Sequence, residues 1–399
     1  MKRIGARCLL FLLIPLLTGC WDSEDIENRA NVLAIAIDEA NPGTEEEEDN
    51  ISHIVETPQT EMICVTVQIA IPGEVPLGPP MGDEGESDPV WVLSVTGYSL
   101  EEAISNLQQE VAEQLFLGQL RVIVINENVA KKGVDQFNES LRRDPQIRRN
   151  VWMVISEEKA AQYMDIAPEL EQVPTLYLAN MVDNAVGLGK FPEDYLGLFW
   201  RMVSSQGQDG FLPYLKIKSS ENIQINGLAY FKGDQMIGKT EPLEIGTFMG
   251  IIGFSQGGYS IFVPVPETDT RVLTEAIKRQ TKMDTTIKDG EPHVNVKIRY
   301  EFVITEKTNE DANLSDPQVI ESIEKKGKEL TADGAKRFIA KMQEEQSDIF
   351  GFGEYIRAKH PRYWNEEIGT KENWQETFQH LDVDVDVMYN IRRVDTQAN

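Results

Sequence analysis

The sequence predicts an α+β fold built from three domains, and three observations lead to this prediction. Strand-like and helix-like segments alternate through the first half of the chain in the order β-β-β-α-β-α-β-α, which favours a mixed sheet flanked by helices. Short strand-like segments with glycine turns follow, which indicates a small β-rich middle domain. A long hairpin and a long helix then predict a C-terminal α/β domain. The predicted domains are residues 20–200, 201–265 and 266–399, after a leader of residues 1–19.

The leader has the composition of a bacterial export signal. Three positive residues flank or precede an apolar run of ten residues, Cys8–Leu17. A membrane-spanning helix needs roughly twenty apolar residues, so the run is interpreted as a signal segment. It ends in Leu17-Thr18-Gly19-Cys20, which is typical of a lipobox. We therefore expect cleavage after Gly19 and a lipid on the Cys20 thiol, and the alternative is a short helix with an incidental cysteine.

The acidic composition and the cysteine count exclude several partners and sites. Cleavage takes the formal net charge from −28 to −31, so nucleic acid and bare anionic lipid headgroups are both predicted to repel the mature chain. With Cys8 removed and Cys20 acylated, only Cys64 is left, and one thiol makes neither a disulfide nor a cysteine metal site. Cys64 is predicted to be buried in a strand. Since no second segment is long and apolar enough to span a membrane, we expect a soluble body on a lipid tether.

The N-terminal elements follow from apolar periodicity. Strands are predicted at Val32–Ile37, Met62–Ile71, Trp91–Val95, Val122–Ile125 and Val151–Ile155. Ser99 is a suitable N-cap for a helix with the apolar positions Ala103, Ile104, Leu107, Val111 and Leu115. Further helices are predicted at residues 129–142, 157–164 and 175–186. Residues 40–60 and 72–89 have the composition of loops.

The later elements are predicted mainly from turn and cap residues. Residues 223–264 are predicted to form short strands, with a hairpin at Lys232-Gly233-Asp234. Asp289-Gly290 is a type I′ signal between two long charged strands, Val272–Lys288 and Val294–Thr305. Asp316 followed by Pro317 predicts the start of a helix, because an acid is favoured as the N-cap and proline at the first helical position. Its predicted apolar stripe is Val319, Ile320, Ile323, Leu330, Phe338, Ile339 and Met342.

The last strand, Val383–Ile391, has a pattern that could suggest calcium. Aspartate and valine alternate from Asp382 to Val387. A calcium loop of this type requires glycine where Val387 stands, so the pattern instead predicts a strand with its valines inward and its aspartates in water.

Few residues have the pattern of a catalytic, metal or cofactor site, and none is predicted. The four histidines are not at metal-ligand spacing: His53, His293, His360 and His380. Gly253-Phe254-Ser255-Gln256-Gly257 matches the nucleophile elbow of hydrolases, which requires a strand before it and a helix after it. The segment that follows, Tyr259–Pro264, is β-branched and aromatic. We therefore predict that a strand follows Ser255 and that the glycines form a hairpin turn.

Five separated segments, in order from Cys20 to about Arg393, carry a family resemblance. The first is Gly19–Asp22 with Glu24 and Val32–Asp38. The others are Leu117–Ile125, Arg143–Arg149, Gly227–Asp234 and Ser347–Glu354, the last followed by Pro361, Trp364, Trp374 and Phe378. This series resembles the Ger(x)C family, the C-subunit lipoproteins of spore germinant receptors. Gln119 stands where that family usually has a histidine, and no ligand-binding residue is assigned.

The resemblance implies three mixed α/β domains, no catalysis, and a role beside two integral membrane subunits in a complex that senses nutrient germinants. It places the protein on the inner membrane of the spore. Trp364, Trp374 and Phe378 are interpreted as core or domain-packing residues, with partner anchoring as the alternative. Arg143 and Asp144 are expected to cap the preceding helix or to pair locally. The alternative function, a solute-binding lipoprotein of a transporter, would need two similar α/β lobes around a cleft.

Overall fold

The computed structural model describes residues 29–41, 61–74, 88–168, 171–219 and 222–394. The predicted lipid attachment site Cys20, its cleavage site, His53 and most of the two predicted loops lie outside these residues. No helix within the described ranges is long and apolar enough to cross a membrane.

A nine-stranded mixed sheet occupies the first part of the chain. Its order is β3-β2-β1-β5-β6-β7-β8-β9, with the short β4 paired to β1. The pairs β1–β5, β5–β6 and β6–β7 are parallel, and the outer neighbours are antiparallel. The strands are β1 (Arg29–Glu39), β2 (Ile63–Ala70), β3 (Val90–Gly97), β4 (Gln114–Phe116), β5 (Val122–Asn126), β6 (Trp152–Ser156), β7 (Phe211–Ser219), β8 (Asn222–Lys232) and β9 (Gln235–Lys239).

Helices lie between the strands of this sheet and cover its centre. They are α1 (Leu100–Glu110), α2 (Glu127–Lys132), α3 (Asp135–Arg143), α4 (Pro174–Gly187) and α5 (Leu196–Val203), with 3₁₀ turns at Leu117–Gln119 and Ala160–Met164. The Ser99 side chain accepts a hydrogen bond from Glu102 N at 3.1 Å, which confirms the predicted N-cap of α1. The central strands have nearly continuous apolar sequences because both faces of the sheet are buried there. All five residues of β5 and of β6 are buried.

Several local predictions for this part of the chain are wrong. Val111 is the C-cap of α1 and Leu115 lies in β4, so neither belongs to that helix. The predicted helix at 129–142 is two helices, α2 and α3, because Gly133 between them has a φ of 120°. Residues Pro242–Ile252 form a helix, α6, rather than short strands. Cys64 is half-buried rather than buried, because it lies near the end of β2, opposite Thr96 of the edge strand β3.

A four-stranded sheet forms the C-terminal part, in the order β10-β11-β12-β13. Its strands are β10 (Ser260–Pro264), β11 (Arg271–Lys288), β12 (Glu291–Lys307) and β13 (Asp382–Val394). Asp289 and Gly290 have φ values of 52° and 90°, as a type I′ turn requires, so the predicted hairpin is confirmed. In β13 the aspartates from Asp382 to Asp386 are exposed and Val387 is buried, which confirms the predicted alternation.

Helices of the C-terminal part pack against this sheet. They are α7 (Pro317–Glu344), α8 (Phe352–Lys359), α9 (Pro361–Tyr363), a π turn at Trp364–Ile368 and α10 (Lys371–Gln379). Asp316 caps α7 by accepting a hydrogen bond from Gln318 N at 2.9 Å, as predicted. Leu330 is 40% exposed, so its predicted place in the buried stripe of α7 is wrong. A Cβ on Gly327 would lie 2.6 Å from the Tyr389 ring, so glycine allows α7 to approach β13 closely.

The fold class predicted from the sequence is confirmed, since helices and two separate sheets make an α+β chain. Within the predicted middle segment, β7 to β9 continue the first sheet and β10 belongs to the second. The boundaries at residues 200 and 265 stay predictions.

Candidate functional site

Two buried aspartates, Asp209 and Asp348, meet where the first sheet contacts the C-terminal helices. Asp209 N donates to Asp348 O at 2.9 Å, and Asp348 N donates to Asp209 Oδ2 at 3.1 Å. Asp209 precedes β7, whereas Asp348 follows α7, so the pair joins segments far apart in the chain. Further donors complete the cluster: Gln375 Nε2 reaches Asp209 Oδ1 at 2.8 Å, and Lys371 Nζ lies 3.3 Å from the same oxygen.

The Asp348 carboxylate is held by N–H donors. Gly351 N donates to Oδ1 and Gly353 N to Oδ2, each at 2.9 Å, and Trp374 Nε1 donates to Oδ2 at 3.0 Å. Burial raises the pKa of the Asp348 carboxyl to about 7, and the Asp209 charge adds to this, while the N–H donors oppose it.

Close backbone packing explains the glycines of the Ser347–Glu354 segment. A Cβ on Gly353 would lie 2.4 Å from the Trp374 ring and 2.7 Å from Gly207 Cα. Glu354 N donates to Gly207 O at 3.0 Å, and Gly207 N donates to Glu354 Oε1 at 2.9 Å. Because its polar atoms are buried and paired within the protein, this cluster is a structural joint rather than a binding site. We call it the aspartate joint: Gly207, Asp209, Asp348, Gly353 and Trp374.

The serine motif is part of a connection between a helix and a strand. Gly253 ends α6 in the left-handed region, with φ 79°, and β10 begins at Ser260. The predicted hairpin turn is therefore wrong, because a helix precedes it, whereas the predicted strand after it is confirmed. Ser255 is exposed, and its carbonyl accepts a hydrogen bond from Arg279 N at 3.1 Å.

Arg279 holds this connection in place from within the second sheet. Its side chain is 1% exposed, and its guanidinium donates to Gln256 O at 2.9 Å and to Gly189 O at 3.0 Å. Burial lowers the pKa of Arg279. No carboxylate in the described part of the chain forms an ion pair with it. Backbone carbonyls therefore accept the hydrogen bonds of this cation. The serine motif contributes to the packing between the two sheets.

An apolar groove of about 800 Å³ lies between α4, β8 and the start of α6. Tyr177 and Met181 of α4 and Ile225 of β8 line it, together with Leu188 and Leu243. Leu188 and Leu243 are 65% and 59% exposed. An open concave surface with large exposed apolar side chains is typical of a site that takes a partner or a ligand. This groove is the best candidate for a functional surface among the described residues.

Gln119 lines a smaller and more polar cavity of about 170 Å³. Arg121, Arg148 and Asp183 also line it, and Trp152 Nε1 donates to Asp183 Oδ1 at 2.8 Å. Two of the segments that carry the family resemblance meet beside it, since Leu117 N donates to Gln146 Oε1 at 2.8 Å. Gln119 is exposed, so the position is available to whatever contacts this end of the sheet.

The remaining predicted residues have structural roles. Trp364, Trp374 and Phe378 are buried, which confirms that they are core residues. Arg143 pairs with Glu139 within α3, and Asp144 Oδ1 accepts a hydrogen bond from Gln146 N at 2.8 Å, so both pair locally as expected. No group of three His, Cys, Asp or Glu side chains in the described ranges has metal-binding geometry.

Sequence reasoning did not single out Leu188, Leu243, Arg279 or Asp209. The groove leucines belong to separate elements whose proximity depends on tertiary packing. Arg279 lies in a charged strand where nothing distinguishes it from its neighbours. For Asp209 a weak signal exists, since it stands between glycines in Gln206-Gly207-Gln208-Asp209-Gly210.

Family models match both parts of the chain. The model described as the spore germination protein N-terminal domain matches residues 22–217, and the spore germination B3/GerAC-like C-terminal model matches residues 226–395.

Individual proteins agree with the family models. The spore germination protein GerQC of Bacillus cereus is 28% identical over 305 residues, which cover 75% of this chain and 80% of that protein. The spore germination protein KC of Bacillus subtilis is 26% identical and covers 98% of this chain and 97% of its own length. The crystal structure of the GerBC protein aligns with a TM-score of 0.53 at 18% identity, over 90% of this chain and 96% of that one, and shows the shared fold.

Proposed function

The chain belongs to the Ger(x)C family of spore germination proteins and has a role in spore germination, and from this premise we propose that it is a non-enzymatic, lipid-anchored subunit of a germinant receptor complex. The observation that carries the proposal is the family match, which extends over both sheets. The partners would be integral membrane subunits of the receptor, in the inner membrane of the spore. No cofactor is part of the proposal.

The proposed anchor is a diacylglyceryl group on Cys20. Each buried methylene of an acyl chain contributes ~0.8 kcal/mol, and one chain alone holds a protein only marginally, so two chains are needed for stable attachment. The Cys20→Ala variant should keep its leader and should incorporate no labelled palmitate. Normal palmitate incorporation in this variant would disprove lipidation at Cys20.

The apolar groove is the proposed contact for the integral membrane subunits. Exposed leucines on an otherwise acidic protein favour an apolar partner surface, and interfaces generally have an apolar centre with a polar rim. Leu243→Asp places a charge at this surface, and because Leu243 is already 59% exposed, the fold should tolerate the change.

The experiment is a pull-down of a tagged chain from detergent-solubilised spore membranes. We expect the wild-type chain to recover polytopic subunits and the Leu243→Asp variant to recover much less. Met388→Asp, on the exposed face of β13 and outside the groove, is the matched control and should behave as wild type. Recovery of the tagged chain alone, with normal nutrient germination of the deletion strain and no close paralogue, would contradict the receptor proposal.

The alternative of a solute-binding lipoprotein is less well supported by the architecture. That class needs two similar α/β lobes, whereas the two sheets here have nine and four strands in unrelated orders. A gene neighbourhood that contains a permease and no receptor subunits would favour the alternative.

A further inference from the structure

One end of the first sheet carries a concentration of exposed arginines, although the chain has a formal net charge of −28. The segment Leu141–Asn150 contains four arginines and one acidic residue. All four arginines are exposed: Arg142, Arg143, Arg148 and Arg149. The acid of the segment, Asp144, is half-buried, and its Oδ1 accepts the Gln146 N–H.

The last turn of α3 and the loop after it place these arginines at the N-terminal ends of the central parallel strands. Val122 of β5 lies opposite Trp152 of β6, and Trp152 N donates to Arg121 O at 2.9 Å. Gly197 N donates to Arg149 O at 2.9 Å, which fixes the loop against the start of α5. We call Arg148, Arg149 and Asn150, the exposed tip of this loop, the arginine tip.

Acidic neighbours neutralise some arginines of this end but not those of the tip. Arg143 pairs with Glu139, and Arg121 lies 3.7 Å from Asp183. In the described part of the chain, no carboxylate forms an ion pair with Arg148 or Arg149. Two exposed acids, Glu110 and Glu113, stand beside β4 at the same end of the sheet. Arg142 lies over the Trp200 ring, 5.7 Å from its centroid, so Arg148 and Arg149 are the arginines of this segment with neither an ion pair nor a ring contact in the described structure.

The chain enters the described structure at the same end. β1 begins at Arg29 and runs parallel to β5, and Arg29 lines a small cavity with Gln146 of the arginine-rich loop. Eight residues lie between Cys20 and Arg29, so nine peptide bonds join the two. Fully extended, they span at most about 30 Å. A lipid on Cys20 would therefore hold the start of β1, and with it this end of the sheet, within about 30 Å of the membrane.

From this placement we propose that the arginine tip binds the anionic phospholipid headgroups of the membrane and so orients the body. The inference rests on the proposed lipidation of Cys20. Four acids lie between Cys20 and Arg29, so the same surface repels this segment, and the arginine tip is the part of this end that the bilayer attracts. The acidic remainder of the chain is repelled as well, so binding of the tip turns this end of the sheet towards the bilayer. Each arginine near an anionic leaflet strengthens attachment by about fivefold, and salt screens the effect.

The test uses the full acylated protein, with acylation verified by mass spectrometry, in vesicles made of equal parts phosphatidylglycerol and phosphatidylcholine. Pure phosphatidylcholine vesicles are the comparison. Modification by phenylglyoxal reports the accessibility of each arginine. We expect Arg148 and Arg149 to be protected several-fold in the anionic vesicles only, and the protection to disappear in concentrated salt. Arg362, exposed on the C-terminal part, should react equally in both.

A paired variant tests the charge itself. Arg148→Gln with Arg149→Gln should abolish the preference for anionic vesicles, whereas Arg362→Gln should keep it. Equal reactivity of the tip in both vesicles, with the acyl group present, would overturn the inference and leave the receptor proposal intact. Absence of the acyl group would instead overturn the anchor. Protection only when native membrane subunits are added would identify an acidic protein partner and overturn lipid binding.

Discussion

Asp348 is held by N–H donors and, among the described residues, by no cation in direct contact, which determines how its carboxyl responds to pH. Burial raises its pKa from 3.8 to about 7. Between these values the folded chain keeps a proton on Asp348 that the unfolded chain releases. Because the folded state then binds more protons, the contribution of this group to stability falls as pH rises from about 4 to about 7.

The Asp348→Asn variant should remove this pH dependence while lowering stability. One amide oxygen cannot accept from Gly351, Gly353 and Trp374 in their present positions, so a buried N–H is left without a partner, at a cost of ~1–3 kcal/mol. Denaturant unfolding at about pH 5 and about pH 8 measures both effects. The exposed Asp311→Asn is the control. If the free energy of unfolding of the variant changes between the two pH values as much as that of the wild type, the pH dependence does not come from Asp348.

Ser255 should be dispensable, because it is exposed and its connection leads into a strand rather than a helix. Ser255→Ala should change the free energy of unfolding by less than about 0.5 kcal/mol. A fluorophosphonate probe should leave the wild-type serine unlabelled. Covalent labelling at Ser255 would contradict the non-enzymatic proposal.

Individual residues were predictable from the sequence where burial follows from side-chain chemistry alone. Trp364, Trp374 and Phe378 are large and apolar, so a core position was the natural expectation. The use of Leu188 and Leu243 as groove residues was not predictable. Their exposure depends on what packs beside α4 and α6, which no local pattern encodes.

At the scale of elements, turn and cap chemistry was the reliable signal. Asp289-Gly290 predicted the β11–β12 hairpin because few residue pairs accept two positive φ values. The helix α6 was missed because its sequence is apolar on all sides and β-branched, with no amphipathic period. Its signal lay in the cap: Pro242 is its first residue, and Glu244 Oε2 accepts from Glu241 N at 2.8 Å in a capping box.

The cap of α7 gives a prediction at this scale. Asp316→Ala removes the acceptor for Gln318 N and should lower the free energy of unfolding by ~1 kcal/mol. The neighbouring exposed Ser315→Ala is the matched control, since its side chain caps nothing in the described structure. Thermal and denaturant unfolding of both variants measure the difference. Equal stabilities would show that the cap contributes nothing.

At the scale of the whole molecule, the sequence predicted the fold class but not how strands are shared between the sheets. β7 pairs with β6 across α4 and α5, so its membership of the first sheet depends on a non-local parallel contact. Local periodicity carries no information about such pairing, and 201–265 therefore resembled a unit of its own. The aspartate joint was equally hidden, because it brings together residues that are more than a hundred positions apart.

The aspartate joint should make the two sheets unfold as one cooperative unit. Gly353→Ala would place a Cβ 2.4 Å from the Trp374 ring and 2.7 Å from Gly207 Cα, where neither neighbour can give way easily. We expect overpacking to lower the free energy of unfolding by ~1–3 kcal/mol. Thermal unfolding should then separate into two transitions as the joint opens.

The matched control for this change is Gly334→Ala in the helix α7, where a Cβ would meet nothing within 4 Å. The free energy of unfolding of that variant should rise by about 0.5–1 kcal/mol, because alanine reduces the backbone freedom of the unfolded chain. The variant should keep a single unfolding transition. Differential scanning calorimetry distinguishes the cases, because the calorimetric and van't Hoff enthalpies agree only for a single cooperative unit. If Gly353→Ala unfolds in one transition at the wild-type temperature, the joint does not couple the sheets, and their contact through Arg279 must be sufficient.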